Sequence, residues 1–348
     1  MANAELDNRL AHLALEGRVL THDELRHCLE DRSRRKSAGE PAELRDVMIE
    51  LGYATVTQVE RLEEALGIGA ADDDNRQIRG YQLLEKVGEG RTSVVFRARQ
   101  LGLDREVAVK VLSSQFSEDR EAVRRFRRQA RILGRLDHAA LPRVIDVGES
   151  RGRHFITLSY IEGLTVRERL MDGERFDEHG AVQLALQIAR GLAHMHARGY
   201  VHRDVKPAKI RLAVDGQAVL TGVGLARERD NERMVEAEAG KAFGTPYYMS
   251  PEQIRGDEHI DGRADVYGLG ATLYHMVTGQ VMFEAETSQG VMRKHCDERI
   301  TPPDRLRPRL AAGVNVAIAR MVAKRPDDRY RDMNAVVVEL EHILATLA

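Results

Sequence analysis

The 348-residue chain is long enough for two or three domains with a substantial buried core, and its 53 Lys and Arg against 55 Asp and Glu leave a net charge of −2. So balanced a charge gives no global field for nucleic acid, and no apolar run approaches the ~18 residues of a membrane helix. With no signal-peptide pattern at the N-terminus and two distant cysteines, Cys28 and Cys296, that read as structural thiols, a cytoplasmic protein without membrane insertion is expected.

The first 68 residues show helical periodicity and a weak internal echo. Thr21 to Glu24, followed by Leu25 and Leu29, form a capping box opening an amphipathic helix; Thr55 to Gln58, followed by Val59 and Leu62, repeat it. Gly17 and Gly52 precede these boxes and are placed to end the previous helices in the left-handed conformation. The pattern predicts two helix-turn-helix units, Leu10–Leu29 and Leu44–Leu66, packed as a docking or regulatory module. Residues 51–66 resemble the small helical N-terminal domains of secretion ATPases and some bacterial signalling proteins. The charged stretch 31–41 reads as a solvated connection.

An acidic, small-residue linker covers 69–78. Beyond it, Tyr81–Val87, Ser93–Ala98 and Glu106–Leu112 alternate as short strands, with further strands expected over Val144–Gly148 and His154–Tyr160. From about Val166 the periodicity turns helical, with long stretches at 180–198, 262–278 and 313–323. Strands followed by helices predict a two-lobed α+β domain over 79–345, with an N-lobe to about 161 and a C-lobe from about 162. A ligand would sit in the cleft between the lobes.

An ordered set of motifs then appears. Gly88-Glu-Gly90-Arg-Thr-Ser93-Val-Val95 is a glycine-rich turn whose backbone amides can approach phosphates. Val107-Ala108-Val109-Lys110 follows, then His202-Arg203-Asp204-Val-Lys206, then Gly222-Val223-Gly224, then Gly244 to Glu252 with Pro251 before the acid, then Asp265-Val-Tyr-Gly, and finally Arg329. Over about residues 80–345 the chain resembles bacterial-type serine/threonine protein kinases. The resemblance implies a protein-kinase-like fold with ATP as ligand. It implies that Gly88, Gly90, Val95, Ala108 and Lys110 contact the nucleotide, and that Asp204 orients a substrate hydroxyl while Lys206 steadies the transferred phosphate. His202, Arg203, Glu252, Asp265 and Arg329 correspond to the family's scaffold residues.

The departures from the family pattern fall on its chemistry. The two magnesium-holding positions, an Asn and the Asp of D-F-G, are Lys209 and Gly222 here, and Val223 replaces the Phe. Magnesium needs hard oxygen ligands, which neither an ammonium nor a glycine supplies. Gln129 stands where the helix Glu would pair with Lys110, Ser93 replaces the third glycine, and Arg211 replaces a large aliphatic beneath the adenine. The arginine is expected to stack on the base or to fill its pocket. The activation-loop segment, Leu225–Phe243, carries no Ser, Thr or Tyr but has Glu228, Asp230, Glu232, Glu236 and Glu238.

These residues imply a pseudokinase that acts as a protein-binding or allosteric signalling component, with any ATP bound without magnesium. Two alternatives stay open: an atypical, weakly active serine/threonine kinase using Lys110, Lys206 and Lys209, and a metal-independent nucleotide sensor.

Overall fold

The computed structural model describes residues 2–17, 19–37, 43–54, 59, 62, 77–90, 92–223, 226–228 and 245–347. The chain divides into two compact units, Met1–Arg79 and Gly80–Ala348.

In the first unit, α1 (Ala2–Glu16), α2 (His22–Ser37) and α3 (Leu44–Glu50) enclose a core of Leu10, Ala14, Leu25, Cys28, Leu44, Val47 and Met48. The Thr21 amide and hydroxyl both donate to the Glu24 carboxylate at 2.8 Å, and Thr21 Oγ1 accepts from the Glu24 amide, so the capping box is complete.

Three expectations need correcting. Helix α1 starts at Ala2 rather than Leu10, and Gly17 is not left-handed, whereas Gly52 is, at φ 74°. The charged stretch from residue 31 is not a loop: α2 continues to Ser37, because Asp31, only 4% exposed, holds Arg34 and Arg35 one turn on, and Arg35 also reaches Glu50. The second capping box, Thr55 to Gln58, lies outside the described residues. A two-residue strand, β1 (Gln77–Ile78), occupies the last positions read as linker, and Ile78 is buried.

The second unit opens with strands β2 (Tyr81–Glu89), β3 (Ser93–Gln100) and β4 (Arg105–Leu112). Helix α4 (Arg120–Leu133) and strands β5 (Val144–Ser150) and β6 (Arg153–Ser159) complete the N-lobe. The strands pair antiparallel in the order β2-β3-β4-β6-β5. Asp119 caps α4 by accepting from the amides of Glu121 and Ala122. Phe126 and Ala130 of the helix then pack on Leu112 and Ile156 of the sheet.

Beyond Ser159 the C-lobe is helical, apart from a small sheet that periodicity did not reveal. In it, β7 (Gly163–Thr165) and β10 (Ala218–Leu220) flank β9 (Ile210–Ala213); β8 (Tyr200–Val201) pairs separately with β11 (Arg227–Glu228). These strands are two to four residues long, too short to show alternation against background.

The helices α5 (Val166–Met171), α6 (Glu178–Ala197), α7 (Pro251–Arg255), α8 (Arg263–Thr278), α9 (Ser288–Asp297), α10 (Pro303–Leu306), α11 (Ala312–Met321) and α12 (Met333–Leu347) follow. Helix α8 is buried on every side, from Ala264 to Thr278 with His275 as the partial exception, and ends at the left-handed Gly279. It forms the axis against which α6 and α11 pack through Ile188, Leu192, Leu269, Leu273, Ile318 and Met321.

Candidate functional site

Strand β4 carries Lys110 opposite Val95 of β3 and Ile156 of β6, with Ala108 two residues earlier opposite Arg97 and Leu158. The glycine turn between β2 and β3 closes through the Gly90 amide, which donates to the Ser93 carbonyl at 2.8 Å; Gly88 pairs with Val95, and Ser93 is buried.

The Lys110 ammonium donates to Gln129 Oε1 of α4 at 2.5 Å and lies 5.7 Å from the Phe126 ring. Burial, with a smaller push from Lys209, pulls Lys110 down to about 8. A glutamine accepts the hydrogen bond but supplies no charge to oppose that pull.

The loop from His202 to Lys209 is held from beneath. Asp265, at the start of α8, accepts the backbone amides of His202 and Arg203 at 2.8 and 2.7 Å, and His196 Nε2 donates to the same carboxylate at 2.7 Å. Burial works to raise the Asp265 carboxyl, but the interactions with the His196 imidazole, with His202 and with the His202 amide outweigh it and lower the group. Arg203 sits at φ 66°, a strained backbone for a side-chain-bearing residue, and its carbonyl accepts from Gln253 Nε2 at 2.8 Å.

Above this brace, the Lys206 ammonium bridges Asp204 Oδ1 at 2.7 Å and Thr245 Oγ1 at 2.6 Å. Deeper in the C-lobe, Arg329 and Glu252 form a buried bidentate pair at 2.7 and 2.8 Å.

Lys209 and Gly222 are neighbours. The chain doubles back so that the Thr221 amide donates to the Lys209 carbonyl at 2.7 Å. Gly222 adopts φ 84°, and a Cβ placed on it would meet Lys209 Cδ at 2.8 Å and Cε and Nζ at 3.0 Å. The lysine side chain thus fills the volume that any side chain at 222 would enter. Val223 is buried in the C-lobe core. Burial lowers the Lys209 ammonium, as does Lys206, while Asp204 opposes the shift.

The kinase resemblance implies magnesium here, and these residues do not fit it. The two positions supply an amine and a hydrogen in place of oxygens, and the amine is itself cationic. Among the described residues no cluster of His, Cys, Asp and Glu could hold a metal ion.

Arg211 has a backbone partner in the C-lobe. Its Nη2 donates to the Gly163 carbonyl at 2.6 Å, across the β7–β9 pair, and its charge helps to lower the Glu168 carboxyl, chiefly held down by the Thr165 amide. Gly163 is required there: at φ 140° a Cβ would lie 1.8 Å from the Leu212 carbonyl oxygen.

Among the residues singled out in the sequence, Lys110, Gln129, Asp204, Lys206, Lys209 and Gly222 are linked by direct contacts or charge, and Arg211 lies with Gly163. Sequence reading missed Thr245 as partner of Lys206, Gln253 and His196 as braces, and the contact that makes positions 209 and 222 one feature. Glu228 is described only in its backbone, and the other acids of that segment, from 230 to 238, lie outside the described residues. A separate cavity of about 370 Å³, lined by Tyr160, Glu162, Val214 and Val219 among others, contains none of these groups.

The protein kinase domain family matches residues 81–338. The chain is 34% identical over 263 residues to a probable serine/threonine-protein kinase of Clostridium acetobutylicum, covering 76% of this chain and 40% of that protein. It is 35% identical over 269 residues to the serine/threonine-protein kinase PknL of Mycobacterium tuberculosis, covering 77% of this chain and 66% of PknL. It is also 35% identical over 272 residues to the serine/threonine-protein kinase pkn3 of Myxococcus xanthus, covering 76% and 50%. The chain thus spans between two fifths and two thirds of these relatives' lengths.

Proposed function

Since the chain belongs to the protein kinase family, we propose that it is a member that has exchanged metal-dependent phosphoryl transfer for a binding role. In this reading it is a pseudokinase that engages a protein partner as a scaffold or allosteric component. The observation that carries the reading is the packing of Lys209 against Gly222. Phosphoryl transfer depends on positioning and on neutralising charge at the phosphates. Here two metal-holding positions and the acidic partner of Lys110 are replaced together, while the Asp265 brace and the Arg329–Glu252 pair that keep the fold in shape remain.

A second reading has its own support. Lys206 bridging Asp204 and Thr245 is an arrangement in which Asp204 could still orient a hydroxyl and Lys206 a phosphate. In that case the chain is a weak serine/threonine kinase, the activity in its relatives' names.

Transfer of labelled phosphate from ATP to a generic protein substrate, with magnesium or manganese, separates the two. Wild type indistinguishable from Asp204→Asn supports the binding role. Transfer that disappears in Asp204→Asn overturns it.

A further inference from the structure

We infer that the cleft takes a free polyphosphate anion, and that a divalent cation weakens this binding because the Lys209 ammonium stands in the cation's place. The inference deepens the proposed function, on whose reading of the cleft it rests.

Three ammonium groups stand here, Lys209 acting on Lys110 and Lys206 on Lys209, and among the described residues Asp204 is the carboxylate beside them. Lys206 is matched by Asp204 and Thr245, and Lys110 is hydrogen-bonded to a neutral amide. The Lys209 ammonium makes no hydrogen bond or ion pair among the described residues, although the residue's backbone is bonded to Lys206 and Thr221. Among the described residues, three positive charges against one negative leave an excess of two, in a part-buried place where screening by water is reduced.

Such a site attracts an anion with several charged oxygens. The phosphate chain of an uncomplexed nucleoside triphosphate and inorganic tripolyphosphate share that chemistry. The glycine turn lies on the strands that carry Val95 and Lys110, and it is uncrowded: a Cβ placed on Gly88 or Gly90 would meet nothing nearer than 3.6 Å, although the Gly90 amide is already bonded to Ser93. A metal-complexed phosphate chain fits worse. Its cation would sit against Lys209, whose side chain is confined along Gly222, and the complex offers less negative charge to the lysines. In a site made of oxygen ligands the metal joins protein to phosphate; here the ammonium already does so.

The test is thermal unfolding and calorimetric titration of the full chain with ATP, tripolyphosphate or adenosine, each in EDTA or in excess magnesium. Expected are a raised midpoint with ATP in EDTA and an affinity at least about tenfold weaker in magnesium. Lys209→Met should lose the binding seen in EDTA, while Lys209→Arg, which keeps the charge, should retain most of it. The ligand-free midpoints of both variants show whether they fold. Stabilisation by tripolyphosphate would identify the bare phosphate chain as sufficient, and stabilisation by ATP alone would identify a nucleotide. Binding that needs magnesium, binding of adenosine as tight as ATP, or no binding of either polyanion in EDTA would overturn the inference. Absent binding together with absent phosphate transfer would sink this inference and leave the proposed function standing; transfer would sink the proposed function.

Discussion

Gly222 and Lys209 exclude each other's alternatives: with the lysine in place, a Cβ at 222 would lie 2.8–3.0 Å from three of its side-chain atoms. The two positions therefore respond to mutation as a pair. Gly222→Asp alone must displace the lysine and accept φ 84°, and should cost about 1–3 kcal/mol of stability. In Lys209→Asn with Gly222→Asp the shorter amide makes room, and most of that loss should be regained. Denaturant unfolding of the three variants measures the coupling. Additive losses in the double mutant would show that the contact does not govern the site.

Gln129→Glu should make Lys110 an ion pair. In the wild type Lys110 is held at about 8, below its ordinary 10.5. Between these values the unfolded chain binds the extra proton, so this group makes stability rise with pH through that window. A carboxylate on α4 would hold the lysine charged, flatten the rise and add about 1 kcal/mol near pH 7. Melting temperatures of both proteins from pH 7 to 10 test this. Lys324, also pulled to about 8 by burial, contributes equally to both and cancels in the difference.

Arg329→Met should be among the most damaging C-lobe changes, at about 3–5 kcal/mol, because it strands a buried Glu252 carboxylate. It also removes donors to the carbonyls of Ala323, Arg263 and Lys324. Urea unfolding would give the value, and a loss under about 1 kcal/mol would mean that water replaces the guanidinium.

His295 should make the C-lobe acid-sensitive. It is fully buried beside Tyr267 and Phe283, and burial, helped by Lys324, lowers it to about 3. The unfolded imidazole takes up a proton near 6.5 and the folded one does not, so stability falls as pH drops from about 6.5 towards 3, by about 2–4 kcal/mol in all. His295→Gln should show a shallower acid limb in thermal melts.

The strands Tyr81–Glu89 and Arg105–Leu112 were legible because over Tyr81–Leu83 and Val107–Val111 buried positions alternate with more exposed ones. Likewise α6 and α8 were legible because they are long and apolar. What was not legible depended on tertiary contact. The basic run after Asp31 looks like a loop until Asp31 and Glu50 neutralise it within α2. In the candidate site, residue types at 209, 222 and 129 could be read singly. That Lys209 lies along Gly222 and that Arg211 has a carbonyl partner are facts of chain reversal, which spacing alone does not encode.

The Asp265 carboxylate holds two amides of the His202–Arg203 segment and the His196 imidazole. The loop's form is thus underwritten by a buried helix. Form and chemistry become separately heritable: a lineage can rewrite the residues facing the cleft while the frame that presents them is inherited unchanged.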